Sequence, residues 1–261
     1  MGAEKMTEHC LITGAAGAMG SATARLAAQN GYAVSLVSLE AECDTADELV
    51  REIAGSGGRA SFIPADISSE NEIVQAYGAA ASAFGPPTGV FHAAGIFVNN
   101  LVRDLDFSAI SKLIAINITG LMICCREAAR MMSKSSGGNG GSIVNVSSMA
   151  ATIGGRPGHS VYAASKGAVD VFSKGFAKEV AREGVRVNTV RPGVVASAMT
   201  AGLDTDPALK KAVEDSIPMG RIGQPEEIAD IALWLMSPAS SLVTGAHIDA
   251  GGGGFNVAGS V

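Results

Sequence analysis

The sequence predicts an α/β protein, a single domain built on a doubly wound parallel sheet, and three observations carry the prediction. Short apolar runs of strand length alternate along the chain with longer segments of helical period. The short runs show little alternation of apolar and polar residues, as strands do when helices cover both faces of their sheet. With 261 residues, 47% of them hydrophobic and 17% charged, the chain can bury one large core, and no boundary divides it.

The elements follow in order. "HCLIT" reads as the first strand, and "AMGSATARLAAQNG" as a helix stopped at Gly31. "AVSLVS" is a strand, "TADELVREIAGSGG" a helix and "ASFIPAD" a third strand. "SENEIVQAYGAAASAFG" is helical, and "GVFHAAG" is strand-like. A long helical stretch over 107–133 precedes the strand "SIVNVSS". A helix around 161–183, the strand "VRVNTVRPG", a helix from Pro225 to Met236 and a short strand near "GAHIDA" complete the alternation. "SKSSGGNGG" (133–141) has a linker's composition but lies between one helix and one strand, so it is read as a surface loop. Repeated strand–helix–strand order requires parallel strands joined by right-handed crossovers.

Composition excludes several classes of function. A net charge of −6 with no basic block argues against a nucleic-acid partner. No uninterrupted apolar run approaches the roughly 18 residues of a membrane span. "MGAEKMTEHC" lacks the apolar core of a signal peptide, and Met6 breaks the myristoylation pattern. The expectation is a soluble cytoplasmic protein. Cys10, Cys43, Cys124 and Cys125 show no C-x-x-C spacing, and the four histidines have no H-E-x-x-H context. No metal site is predicted.

"CLITGAAGAMGSATARL" sets a strand, a glycine-rich turn and a helix in sequence. Such a turn aims backbone N–H groups and a helix N-terminus at one point, which suits a pyrophosphate. Gly14, Gly17 and Gly20 let the chain turn tightly and let phosphate approach. An acidic residue at the end of the second strand would hold a ribose 2′-hydroxyl and select NAD. Here "LVSLEAE" offers Ser38 and Leu39, with Glu40 nearby to repel a 2′-phosphate. The balance favours NAD over NADP. Asp66 in "PADIS" either accepts a hydrogen bond from adenine or caps the following helix.

"VYAASKGAVD" places Tyr162 and Lys166 four residues apart, one above the other on a helix face. A free phenol, with pKa near 10, is a poor base at neutral pH. An ammonium about 4 Å away, at an effective dielectric of ~20, stabilises phenolate by roughly two to three pKa units. A phenol tuned in this way takes a proton from a hydroxyl or returns one to a carbonyl. Chance alone yields such a pair in roughly one sequence in eleven, so the pair is weak by itself. Ser147 and Ser148, at the end of the strand before this helix, are both candidates to hold a carbonyl oxygen.

Together these stretches resemble the short-chain dehydrogenase/reductase family, whose fold is a Rossmann-type sheet. Thr13, Gly14 and Gly20 match its T-G-x-x-x-G-x-G signature, with Ala18 at the middle glycine and Gly17 one place earlier. "HAAG" stands where the family has N-N-A-G, keeping Ala94 and Gly95; His92 is read as structural. "RPGVVASAM" resembles P-G-x-x-x-T, with Ser197 for threonine. The likeness runs from about residue 8 to 254, and "CCREAARMM", "GGSIVNVSS" and "VYAASKGAVD" are similar to bacterial glucose-1-dehydrogenase-like oxidoreductases.

The resemblance implies roles. Tyr162 is the acid/base, Lys166 lowers its pKa and binds ribose, and Ser148 positions the substrate oxygen. Asn117 in "IAINITG" holds a water that completes a proton relay. Gly14, Gly17, Met19, Gly20, Ser38, Asp66, Ile67, Ala94 and Gly95 line the cofactor site, with Pro192, Gly193, Val195 and Ser197 at its nicotinamide end. Residues 198–220 form a mobile lid, and the chain assembles as a homotetramer. The expected activity is NAD(P)-dependent interconversion of a secondary alcohol, sugar-like or another small hydroxy compound, and its carbonyl. A silent dinucleotide sensor would have lost Ser148, Tyr162 or Lys166, and all are present. A 3-oxoacyl thioester reductase would offer an acidic carrier basic residues before the fifth strand, where this chain has "SSGGNGG".

Overall fold

Seven strands pair side by side in the order β3-β2-β1-β4-β5-β6-β7, every pair parallel, in a computed structural model that describes residues 8–254. The leader reading, residues 1–7, and the last residues of the single domain, 255–261, lie outside the described residues. The strands are β1 His9–Thr13, β2 Ala33–Ser38, β3 Arg59–Pro64, β4 Gly89–His92, β5 Gly141–Val146, β6 Val185–Pro192 and β7 His247–Ala250. The order reverses between β1 and β4, which pair from Cys10↔Gly89 to Thr13↔His92. A crevice opens there outside the carboxyl ends of the strands.

Successive strand residues feed two different cores. Leu11 packs under α3 (Glu70–Phe84), α5 (Leu121–Met132) and α7 (Ser160–Val180), with Tyr77, Cys125 and Phe176. Cys10 and Ile12 pack on the other face under α1 (Ala18–Gln29), α2 (Cys43–Gly55) and α10 (Pro225–Met236), with Leu49 and Leu235. Both faces are therefore apolar, which is why the strands lack a period of two. A fully buried side chain such as Leu11 or Leu36 contributes about 1.5–3 kcal/mol through burial.

Local chemistry sets the helix starts. Ser69 caps α3 by accepting from Glu72 N, while the Glu72 carboxylate accepts from Asp66 N. The helix cap is thus Ser69 and not Asp66, whose Oδ1 accepts from Ser68 N in a turn. Pro225 opens α10 at the position where a missing N–H costs nothing.

The long helical stretch is one continuous run, α4 (Phe107–Ile114), a π-helical turn (Ala115–Gly120) and α5. This corrects the reading that nothing in the chain approaches a membrane span. Phe107–Met132 is long and apolar enough by length and composition, because Ser111, Lys112 and Asn117 interrupt the run without lowering its average much. Leu113, Leu121, Cys124 and Met132 are buried, whereas Phe107 and Ile114 of the same run are exposed.

Candidate active site

The glycine turn after β1 is shaped by two close approaches. Gly14 has φ +67°, and a Cβ there would lie 2.6 Å from Ala94 N, so β1 and the β4 exit touch through backbone. A Cβ on Gly20 would lie 2.2 Å from the Gly14 carbonyl oxygen, which seats α1 against the turn. Gly17 begins α1 without a side-chain cap, and its N–H donates to Gly14 O. The first amides of α1 thus open onto a cleft of about 300 Å³ that Gly14, Gly17, Met19, Gly20, Gly95 and Lys166 help to line. Ala18, in the place of the family's middle glycine, lines the same cleft. Two glycines that admit no Cβ, beside uncapped amides, fit a dinucleotide pyrophosphate.

A second cavity of about 220 Å³ continues from this turn past Ser38, Leu39, Glu42, Asp66, Ile67 and Ala94. Ser38 is buried, and its Oγ accepts from Ala16 N at 3.0 Å, so this oxygen braces the glycine turn. Of the two glutamates after β2, Glu42 and not Glu40 lines this cavity, which Asp66 also lines. A short 3₁₀ turn, Glu40–Glu42, brings the Glu42 carboxylate back to accept from Leu39 N at 3.2 Å. Strand-end counting misses a residue that reaches back through a turn.

The chemical groups converge above β5. Ser148 lines the dinucleotide cleft and the neighbouring cavity, and its Oγ accepts from Ala150 N. Ser147 donates to the Lys166 carbonyl at 3.1 Å, a structural use that leaves Ser148 the oxygen-binding candidate. Helix α7 stacks Tyr162 and Lys166, with Lys166 Nζ 5.8 Å from the phenol ring centroid. Nζ is buried and donates to Val146 O at 2.8 Å, and Gly95 lies so close that a Cβ would sit 3.4 Å from it.

Electrostatics here depart from the sequence expectation. Burial raises the Tyr162 phenol above its usual range, and the Ser148 hydroxyl draws it partly back. Burial also brings Lys166 down to about 8, against the raising influence of the Asp170 carboxylate. The raised pKa of the phenol favours Tyr162 as a proton donor.

Asn117 sits in the π-helical turn, buried and away from these cavities. Its Oδ1 accepts from Ile96 N at 2.8 Å, and its Nδ2 donates to Ile96 O and to Ser165 Oγ. The side chain therefore clamps the loop after β4 to α7, with its Oδ1 and Lys166 Nζ both beside Gly95.

Pro192, Gly193, Val195 and Ser197, which the sequence resemblance assigns to a nicotinamide, line the same cleft as the glycine turn. The following segment folds as α8 (Gly202–Thr205) and α9 (Pro207–Asp215), two helices that sequence reading passes over. Met199, Leu203 and Val213 from this segment line a third cavity of about 290 Å³, which Tyr162 and Ser148 also line. Phe97 packs edge-on against both Tyr162 and His159. Sequence reading also missed Arg156 and His159, since only folding brings their loop over the tyrosine.

Comparison with known proteins places this geometry. Residues 14–255 match the family model described as Enoyl-(Acyl carrier protein) reductase. The uncharacterized oxidoreductase YgfF of Escherichia coli K12 is 42% identical over 245 residues, covering 93% of this chain and 98% of that protein. The cis-4-hydroxycyclohexanecarboxylate dehydrogenase of Sinomonas cyclohexanicum is 34% identical over 244 residues, covering 93% of this chain and 94% of its own. A solved short-chain dehydrogenase/reductase from Mycobacterium ulcerans superposes with a TM-score of 0.88 at 30% identity, covering 94% of this chain and 89% of that one.

Proposed function

The chain belongs to the short-chain dehydrogenase/reductase family and is an oxidoreductase acting on CH–OH with a nicotinamide cofactor, and from this premise we propose how its own residues do the work. The substrate is a small secondary alcohol or its ketone, seated in the cavity over Tyr162. The relative that oxidises a hydroxycyclohexanecarboxylate supports a compact hydroxy compound with an apolar body. Bound nicotinamide supplies or accepts the hydride.

Ser148 holds the substrate oxygen, and Tyr162 gives that oxygen a proton or takes one from it. Lys166 binds ribose and keeps positive charge near the phenol. Asn117 serves through position, fixing Ile96 and so the wall against Lys166. The adenosine end, with Glu42 facing the cavity, supports NAD ahead of NADP, since a carboxylate repels a 2′-phosphate. Residues 198–220 act as the lid that closes over substrate. The cytoplasm suits the four unpaired cysteines, three of them buried.

The observation that carries this reading is the meeting of Ser148, Tyr162 and a buried Lys166 on one cleft shared with the glycine turn. Tyr162→Phe tests it. Loss of the proton donor should lower kcat by roughly 10²–10⁴-fold while NAD quenches protein fluorescence with an unchanged Kd. Near-normal turnover in the variant would remove Tyr162 from its role.

A further inference from the structure

The cavity over Tyr162 carries one fixed charge, and it is unpartnered. Phe97, Ile153, Met199, Leu203 and Val213 give it apolar walls. Among its described lining residues no carboxylate appears, and Arg156 is the one guanidinium. Arg25, Arg126, Arg191 and Arg221 each sit within 3 Å of a carboxylate. The exposed side chain of Arg156 makes no ion pair or hydrogen bond among the described residues, while its backbone carbonyl accepts from His159 N at 2.9 Å.

The loop that presents it is held in place. The Gly158 carbonyl accepts from Asn100 N at 3.0 Å, and a Cβ on Gly158 would collide with Asn99 Oδ1 at 2.2 Å. The Arg156 loop is thereby stitched to the loop after β4 that also carries Phe97. The next polar group, His159, is kept neutral at pH 7, by burial first and then by the positive charge of Arg156. The cavity therefore presents a proton donor at one point, a lone cation at another and hydrocarbon between.

We propose that Arg156 pairs with a carboxylate on the substrate, so that the physiological substrate is a small hydroxy acid or oxo acid with an apolar body. This rests on the cavity over Tyr162 being the substrate site. A guanidinium suits a carboxylate because its fork of N–H donors matches both oxygens. The acid group fixes the far end of the molecule, the walls shed water from its body, and its hydroxyl or ketone is left at Tyr162 and Ser148.

The test compares 4-oxocyclohexanecarboxylate with its primary amide, two compounds of nearly equal size that differ by one charge. Wild type, Arg156→Gln and Arg156→Lys are assayed with reduced nicotinamide cofactor, and binding of both compounds is measured separately by calorimetry. Wild type should prefer the acid by roughly tenfold or more in kcat/KM and in Kd. Arg156→Gln should bring the ratio to about one by raising KM for the acid alone, with an unchanged Tm. Arg156→Lys, which keeps a point charge, should retain part of the preference.

Equal use of acid and amide by wild type, or a preference that survives in Arg156→Gln, overturns the proposal, and so does failure of wild type to bind either compound. Loss of activity in Arg156→Gln confined to the coenzyme A thioester of 3-oxobutyrate, with the oxo acid unaffected, also overturns it by assigning the charge to a carrier. Arg156-dependent binding of the acid without reduction of either compound would uphold the anion site and sink the oxidoreductase assignment. The two failures are thus separable.

Discussion

Lys166 is the residue at which function works against stability. Its ammonium lies buried beside Gly95 and Val146, and burial lowers its pKa from 10.5 to about 8. Between pH 8 and 10.5 the unfolded chain therefore holds a proton that the folded chain has released, so stability rises with pH across that window. Below pH 8 the full penalty applies, on the order of 3 kcal/mol for a shift of this size. Lys166→Met should therefore abolish activity yet unfold at higher urea at pH 7, by up to about 3 kcal/mol. That advantage should shrink toward zero as pH rises from 8 to 10.5. A variant weaker than wild type at pH 7 would mean that the Val146 hydrogen bond outweighs the desolvation of the charge. Burial likewise favours the protonated phenol of Tyr162, so positive charge beside it is needed before it can act as a base.

At the scale of elements, a buried polar chain replaces the asparagine pair that the family places after β4. His92 at the end of β4 turns into the core, with Nε2 2.7 Å from Tyr77 Oη on α3 and Nδ1 2.8 Å from Asn145 Oδ1 on β5. Asn145 Nδ2 donates to Ser173 Oγ on α7 at 2.9 Å. Burial holds His92 down at about 4, with the Asn145 bond raising it slightly. Its folded pKa is below its unfolded value of 6.5, so stability is complete above pH 6.5 and is lost as pH falls toward 4. Tyr77→Phe should cost about 1–3 kcal/mol at pH 7 by stranding a buried ring nitrogen, read from urea midpoints. A neutral outcome would show that the network closes without the phenol. Sequence reading could place His92 as structural but not name Tyr77, because no spacing rule links residues 77, 92 and 145. It placed β1, β2 and α10 to the residue, where apolar period and end signals agree. The π-helical turn around Asn117 escaped it, because a change of helical pitch leaves no residue signature. Helices α8 and α9 escaped it as well, since segments of four and nine residues are too short for a hydrophobic period to repeat.

The whole molecule leaves large apolar side chains in water at two separate places. Phe107, Ile114 and Val171 are exposed on α4 and α7, two helices packed against each other, with Phe107 82% and Val171 77% accessible. Far along the sheet, Leu242 is 95% accessible and Trp234 lies half-exposed on α10, and β7 pairs with β6 alone among the described residues. Large apolar side chains in water and an unpaired strand edge both invite a partner. A surface that meets its own copy across a two-fold axis closes a dimer, and two such surfaces on different sides close a tetramer. The homotetramer implied by the family resemblance thus acquires two candidate faces. Val171→Asp puts a charge into the helical face and should halve the particle mass measured by sedimentation. Leu242→Asp should halve it through the other face, and the double variant should run as a monomer. Each substitution lies on the surface of the single chain, so the folded circular-dichroism signal should persist in all three. Wild type sedimenting as a monomer at micromolar concentration would refute both faces together. Dissociation by one variant alone would leave a dimer built on the face that variant disrupts.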